Sequence, residues 1–221
     1  MLGREHALSG AVAGAAAGEL VLHLPVTGTL ALAGLTAAFA TLPDLDTRGS
    51  CAARSLGFLS EGFAWVVEHV SGGHRHATHS ILGVAVFTAL AWLACIFRHG
   101  DGRWALALFL ALAIAAGLRA LRIGGHFADL LAIAAAVAIT WTGWHLALIP
   151  LACGLGCAAH ILGDMLTVSG CPLAWPVTLR CFGLPRPLSF VTGTWRETWT
   201  VLPLLLAALG WLGWLGLAGA R

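Results

Sequence analysis

Trp104–Leu121 reads WALALFLALAIAAGLRAL, with no charge before Arg119. An α-helix needs about 20 mostly apolar residues to cross the hydrocarbon of a bilayer, and a helix satisfies its backbone amides within the segment itself. This run is therefore read as a membrane-spanning helix. Working outward, six more runs of the same kind can be drawn. They cover roughly Ala7–Leu24, Thr29–Leu42 (stopped by Pro43), Ser80–Phe97, Phe127–Ile149, a stretch after Pro150 as far as Val168, and Val201–Ala218. The whole chain of 221 residues is 59% hydrophobic and only 10% charged, with a mean hydropathy of +0.87. A soluble protein carries about a quarter charged residues. The sequence thus predicts an all-α, polytopic membrane helical bundle of about seven transmembrane helices, forming a single domain over residues 1–221.

Composition narrows the partners. A net charge of +2 gives no reason to expect nucleic acid. The Lys and Arg positions are all Arg, and Lys, Asn, Gln and Tyr are absent. Six cysteines are scattered without a CxxC pair, so no disulfide framework is expected. The N-terminus lacks a cleavage pattern and reads as the first helix of the mature protein.

Two stretches should not span. In Gly57–Val70, Phe58, Leu59, Phe63, Val66, Val67 and Val70 share one helical face, which suits a helix lying in the membrane interface and ended by Gly72-Gly73. Ser169–Thr200 holds four of the eight prolines and three tryptophans, and reads as a loop lying against the membrane surface.

Counting crossings then sorts the polar residues by side. His6 precedes the first helix, on face A. Two crossings return the chain to A at Asp44-Leu-Asp46, and the interfacial helix leaves His74-Arg75-His76-Ala-Thr78-His79-Ser80 on A as well. His160 and Asp164 fall in the last turns of a helix descending toward A. Nine of the twelve arginines lie on A; Arg98, Arg103 and Arg221 are assigned to B. Cytoplasmic loops carry the excess of Arg, so A is expected to face the cytoplasm.

His160 and Asp164 sit four apart in an apolar helix and share a face. A polar pair at that depth is costly without partners, which a cation would provide; a His–Asp hydrogen bond joining two helices would use the same residues. Asp44 and Asp46 repel each other unless a cation or water intervenes. Three imidazoles and a guanidinium within six residues at 74–79 make a poor solvated turn and a good metal or phosphate site, and Thr78 or Ser80 can cap the helix that follows. Imidazole and carboxylate ligands together suit divalent metal ions, zinc foremost, with manganese or iron as alternatives. Such a centre generates hydroxide at neutral pH for hydrolysis. Glu19 and His23 are expected one turn apart in the first helix, toward face B, as an interhelical hydrogen bond. His126, Asp129 and His145, in and around the fifth run, stay ambiguous between the same readings.

The elements are ordered along nearly the whole chain: His6 opening the first helix, Leu42-Pro-Asp-Leu-Asp46, His74-Arg75-x-x-Thr78-His79-Ser80, His160-x3-Asp164, Thr167-x-Ser169-Gly170, Pro172-Leu-x-Trp175-Pro176, and Thr192-Gly193 before Glu197. In this the sequence resembles the YdjM-type inner-membrane proteins, described as membrane-bound metal-dependent hydrolases. That family is held to be distantly similar to zinc phospholipase C and P1-type nucleases. The resemblance implies a multi-pass protein of the bacterial inner membrane that hydrolyses a phosphoester, with a lipid or small-molecule ester as substrate and membrane lipids as its surroundings. His6, Asp44, Asp46, His74, His79, His160 and Asp164 would form the metal shell. Arg75 would bind the anionic group, and Glu197 would act as base or further ligand. A metal-ion or proton-coupled transporter would use the same residues, but continued to the midplane through Glu19 or His145.

Overall fold

The structure, a computed structural model, describes residues 1–219; Arg221, assigned above to face B, lies outside them. Eight α-helices follow in chain order: α1 (Gly3–Ala16), α2 (Val26–Phe39), α3 (Phe58–Ser71), α4 (Ile81–Ile96), α5 (Gly102–Ala120), α6 (Ala128–Thr142), α7 (Ile149–Met165) and α8 (Leu202–Gly219). The only strand-like pairing among the described residues is two isolated bridges, Thr167 with Phe190 and Cys171 with Phe182. Five helical stretches are long and apolar enough to cross a membrane: Val26–Asp46, Gly102–Ala120, Gly125–Thr142, Leu146–Met165 and Glu197–Gly219. The apolar α4 is shorter, at 16 residues. The first helix carries Arg4, Glu5 and, in its π-helical continuation Ala17–Val21, Glu19.

Boundaries moved where backbone geometry overrode hydropathy. The run Phe127–Ile149 is broken after Thr142, because Gly143 (φ 72°) and His145 (φ 52°) are left-handed, and α7 then starts at Ile149 with Pro150 in its first turn. Proline is tolerated there because the amide it lacks has no helical partner in the first turn. His23 lies beyond the end of the first helix with φ 50°, so Glu19 and His23 are not one turn apart on one helix. No hydrogen bond joins them among the described residues. Glu19 instead lies over Gly216 of α8, where a β-carbon would come within 3.1 Å of Oε2.

Helix α2 is the strut of the bundle. A β-carbon on Gly10 or Gly14 of α1 would meet the Thr36 or Leu32 carbonyl oxygen at 2.6 or 2.7 Å, and one on Gly156 of α7 would meet the Thr36 oxygen at 2.7 Å. Gly117 of α5 approaches Ala38 in the same manner. With lipid on all sides there is little hydrophobic drive between helices, so close packing of small residues holds them together. Glycine here lets three helices touch one stretch of main chain. Helix α3 turns Ser60, Ala64 and Ser71 inward. Phe58, Leu59, Phe63, Val66 and Val70 of its apolar face have no protein over them.

Candidate metal centre

Four chain segments converge where α2 ends. Pro43 opens a buried 3-10 turn, Leu42–Asp46, that carries both aspartates. The chain between α3 and α4 turns through Gly72, Gly73 and Arg75, all at positive φ, into the short turn Ala77–His79. Ser80 caps α4 by accepting from the Gly83 amide at 3.1 Å. Thr78, the other candidate cap, is used elsewhere. Helix α1 delivers His6, and α7 delivers His160 and Asp164, all buried.

All seven ligand residues read from the sequence are brought together. Asp44, Asp46, His74 and His79 offer donor atoms within 4.8 Å of one another, and so do His6, His160 and Asp164. The two groups join where His79 Nε2 stands 3.1 Å from His160 Nε2. Asp44 Oδ1 is 3.7 Å from each of those nitrogens. Asp164 Oδ2 is 3.5 Å from His79 Nε2 and 3.7 Å from His160 Nε2. Zinc bonds of about 2.0–2.2 Å in a tetrahedron put neighbouring donors about 3.3–3.6 Å apart. The separations here lie near that spacing.

Tautomers follow from the partners. The Ala40 carbonyl can only accept, so His160 Nδ1, at 2.7 Å, carries the proton and leaves Nε2 bare. His79 Nδ1 faces Asp46 Oδ2 at 3.2 Å, which likewise turns Nε2 toward the centre. Asp46 also accepts from Thr78 Oγ1 at 2.5 Å and from the Arg75 amide at 3.0 Å, and pairs with His74 Nδ1 at 2.8 Å. Its two oxygens are thus committed to orienting others, the arrangement in which a carboxylate fixes a metal-binding imidazole. Burial disfavours a charged His79, but Asp44 and Asp46 outweigh it and lift its pKa to about 9. The two carboxylates thus favour positive charge at that position.

The second oxygen of Asp164 serves different partners. Oδ1 is 3.3 Å from His6 Nε2 and 3.0 Å from Arg75 Nη2, and pairs with the Met1 amino group. His6 stacks on His160 with ring centroids 3.6 Å apart, and its buried Nδ1 has no partner. Arg75 Nη1 also donates to the Gly170 carbonyl at 3.2 Å, tying the loop after α7 to the site. Glu197 is fully buried, with Oε1 taken by the Leu2 amide at 2.6 Å and Oε2 by the Gly193 amide at 2.7 Å. It holds the start of α1. His76 turns back to the Gly72 carbonyl, and Asp129 is clamped by Arg119.

The sequence reading missed the Ala40 carbonyl, because any residue can supply one. It named Thr78 only as a cap, and it missed the hydroxyl of Thr47, which lies 2.7 Å from His74 Nδ1. Thr47 follows Asp46 directly, and that adjacency was the available signal.

No curated protein and no solved structure matches the chain significantly. Residues 1–121 match the family described as YdjM inner membrane protein, a stretch that includes His6, Asp44, Asp46, His74, Arg75 and His79, whereas His160, Asp164 and Glu197 lie beyond it. With more than half of its length matched, the chain belongs to the YdjM inner membrane protein family.

Proposed function

We propose that this protein is a membrane-bound metal-dependent hydrolase of phosphoesters, a phospholipid foremost, working at the cytoplasmic surface of the inner membrane. One observation carries the reading: the Nε2 atoms of His79 and His160 stand 3.1 Å apart with a carboxylate oxygen of Asp44 and one of Asp164 within 3.7 Å of both, near the donor spacing around a divalent ion. Zinc is the first choice, with manganese or iron as alternatives. Bound there, the metal would act as a Lewis acid and supply hydroxide at neutral pH.

The chain's own residues do the rest. Asp46 holds the His79 ring, and the Ala40 carbonyl holds that of His160. Arg75 spends three contacts on Asp164, Thr167 and Gly170, which leaves guanidinium N–H groups for an anionic oxygen. His6 and Asp164 Oδ1 form a further donor pair beside the first group. Glu197 positions α1, and hence His6, and is better cast in that role than as a base.

An apolar crevice supports a lipid substrate. It holds about 340 Å³ between α3 and α4, is lined by Val67, Val70, Leu82, Val86 and Trp175, and begins at Thr78, whose hydroxyl binds Asp46. An acyl chain suits it, with the phosphate toward His74 and Arg75. Confinement to one end of the bundle favours an enzyme over a transporter, since neither Glu19 nor His145 extends the ligand groups along the bundle. The orientation rests on the arginine excess of face A, with α1 and α4 completing seven crossings.

The test is elemental analysis of purified protein, followed by assay against a phospholipid panel and a soluble phosphodiester. Bound metal with turnover that is lost in His79→Ala and kept in Glu19→Gln is the expected result. Equal loss in both variants would favour a path across the membrane. A reporter fused after α8 checks the side.

A further inference from the structure

A second polar cleft lies at the same end of the bundle, where the loop after Asp46 meets the turn between α5 and α6. It encloses about 430 Å³ and is lined by Ser50, Cys51, Arg54, Arg119 and Arg122, with no acidic side chain in its wall. That volume is within the range of about 300–1,000 Å³ typical of small-molecule sites.

The three arginines are not equivalent. Arg119 is locked, with Nε 2.9 Å from Asp129 Oδ1, Nη2 2.5 Å from Asp129 Oδ2, and Nε also 3.1 Å from the Ser55 carbonyl. Arg54 and Arg122 make no side-chain hydrogen bond or ion pair among the described residues. Arg122 moreover holds φ 58° just past the end of α5, where the Ile123 amide closes on the Leu118 carbonyl at 2.8 Å. Glycine is the usual occupant of that position, because a β-carbon is disfavoured there. A guanidinium has been placed at a residue where the backbone favours none.

The arginines at the other end behave differently. Arg98 Nη1 caps the Cys95 carbonyl at 2.8 Å, and Arg103 lies 5.3 Å above the Trp141 ring. Both have such a partner in the fold, although the cleft of about 470 Å³ that they line likewise holds no acidic side chain. A general excess of positive charge on one membrane face explains why Arg54 and Arg122 lie where they do. It does not explain why both line one concavity with no carboxylate to balance them.

We propose that this cleft is an anion site separate from the metal centre, binding a phosphate group at the membrane surface through Arg54 and Arg122, with Arg119 as its fixed wall. The planar guanidinium fork matches phosphate oxygens two at a time. The phosphate can belong to an anionic lipid headgroup or be free in solution. The inference is independent of hydrolysis and needs no turnover to be tested.

The experiment uses the full-length protein in nanodiscs of phosphatidylcholine containing a tenth phosphatidylglycerol, with retained lipid counted by native mass spectrometry. In parallel, inorganic phosphate is titrated into phosphatidylcholine-only discs. The variants are Arg54→Gln and Arg122→Gly, with Arg98→Gln as the control on the other face. Arg122→Gly suits the left-handed backbone, so it removes the guanidinium without threatening the fold, and metal content reports that the neighbouring centre is intact.

Each arginine variant should weaken the anion by about tenfold, the loss of one charge-assisted hydrogen bond, while Arg98→Gln changes nothing. Phosphatidylglycerol enrichment that millimolar phosphate fails to displace assigns the site to a lipid. Phosphate binding without lipid enrichment assigns it to a soluble anion. If neither anion binds, or if both variants bind as the wild type does, the proposal is overturned.

Discussion

Helices α7 and α8 contain the two most hydrophobic 18-residue windows among the candidate spans, with mean hydropathies of 1.9 within Leu146–Met165 and 2.0 within Glu197–Gly219. They do opposite jobs. Of the first window 44% is buried inside the protein, but of the second only 6%. Helix α7 turns Gly156, Cys157, His160 and Asp164 toward α2 and the site, whereas α8 turns Trp211, Trp214 and Leu217 outward. Hydropathy thus says which segments belong in a membrane, and the small and polar residues say which belong inside the bundle. High hydropathy alone does not bring a helix into the core of this bundle.

The comparison breaks first on metal. His160→Ala or Asp164→Ala should lower the metal content of purified protein at least tenfold, since each removes a donor from a group of four, whereas Trp211→Ala in α8 should leave it unchanged. Elemental analysis decides, and full occupancy in both α7 variants would remove the metal centre from α7.

A smaller effect is expected one shell out. Asp46→Asn keeps the size but loses the charge that orients His79, and should weaken metal affinity by about 10–100-fold in a chelator competition. If the affinity is unchanged, Asp46 does not orient His79.

Packing gives the next step down. Gly156→Ala puts a methyl group 2.7 Å from the Thr36 carbonyl oxygen, among main-chain atoms that cannot rotate away. A cost of about 1–3 kcal/mol is expected in thermal unfolding. Gly213→Ala in α8 meets nothing within 4 Å and should cost nothing, or stabilise slightly through helix propensity. Equal losses at both positions would erase the contrast between the two helices.

The smallest change is expected at Glu19→Gln, which should leave metal binding intact and move stability by less than about 0.6 kcal/mol, the average for a hydrogen bond between membrane helices, since Glu19 shows none among the described residues. Loss of metal there would extend the site along α1.

Much of the site was legible because its chemistry is local in sequence. His160 and Asp164 are one turn apart on an apolar helix, Asp44 and Asp46 flank one leucine, and counting crossings places these pairs at one end with His6 and His79. Which oxygen meets which nitrogen was not legible. Asp46 and Asp44 look alike in Leu-Pro-Asp-Leu-Asp, yet Asp46 is spent on His79, His74, Thr78 and the Arg75 amide, while Asp44 faces the Nε2 atoms of His79 and His160. Spacing carries no record of that division, which is set by the turn through Gly72, Gly73 and Arg75. The number of spans was legible only roughly, since five stretches are long and apolar enough to cross while α4 has 16 residues, and the end of the fifth run depends on the left-handed backbone of Gly143 and His145.

Contacts between main chains have no rotamers in which to store slack. Along residues 32–40 of α2, glycines of α1 and α7 rest on backbone. The spacing between His6, the Ala40 carbonyl and His160 is therefore governed by bond lengths and helical pitch. Membranes differ in thickness, and helices answer the mismatch by tilting or bending. In this bundle α8, whose side chains face mostly outward, is expected to take up that adjustment before the contacts along α2 do. The donor spacing should then be the same in bilayers of different depth.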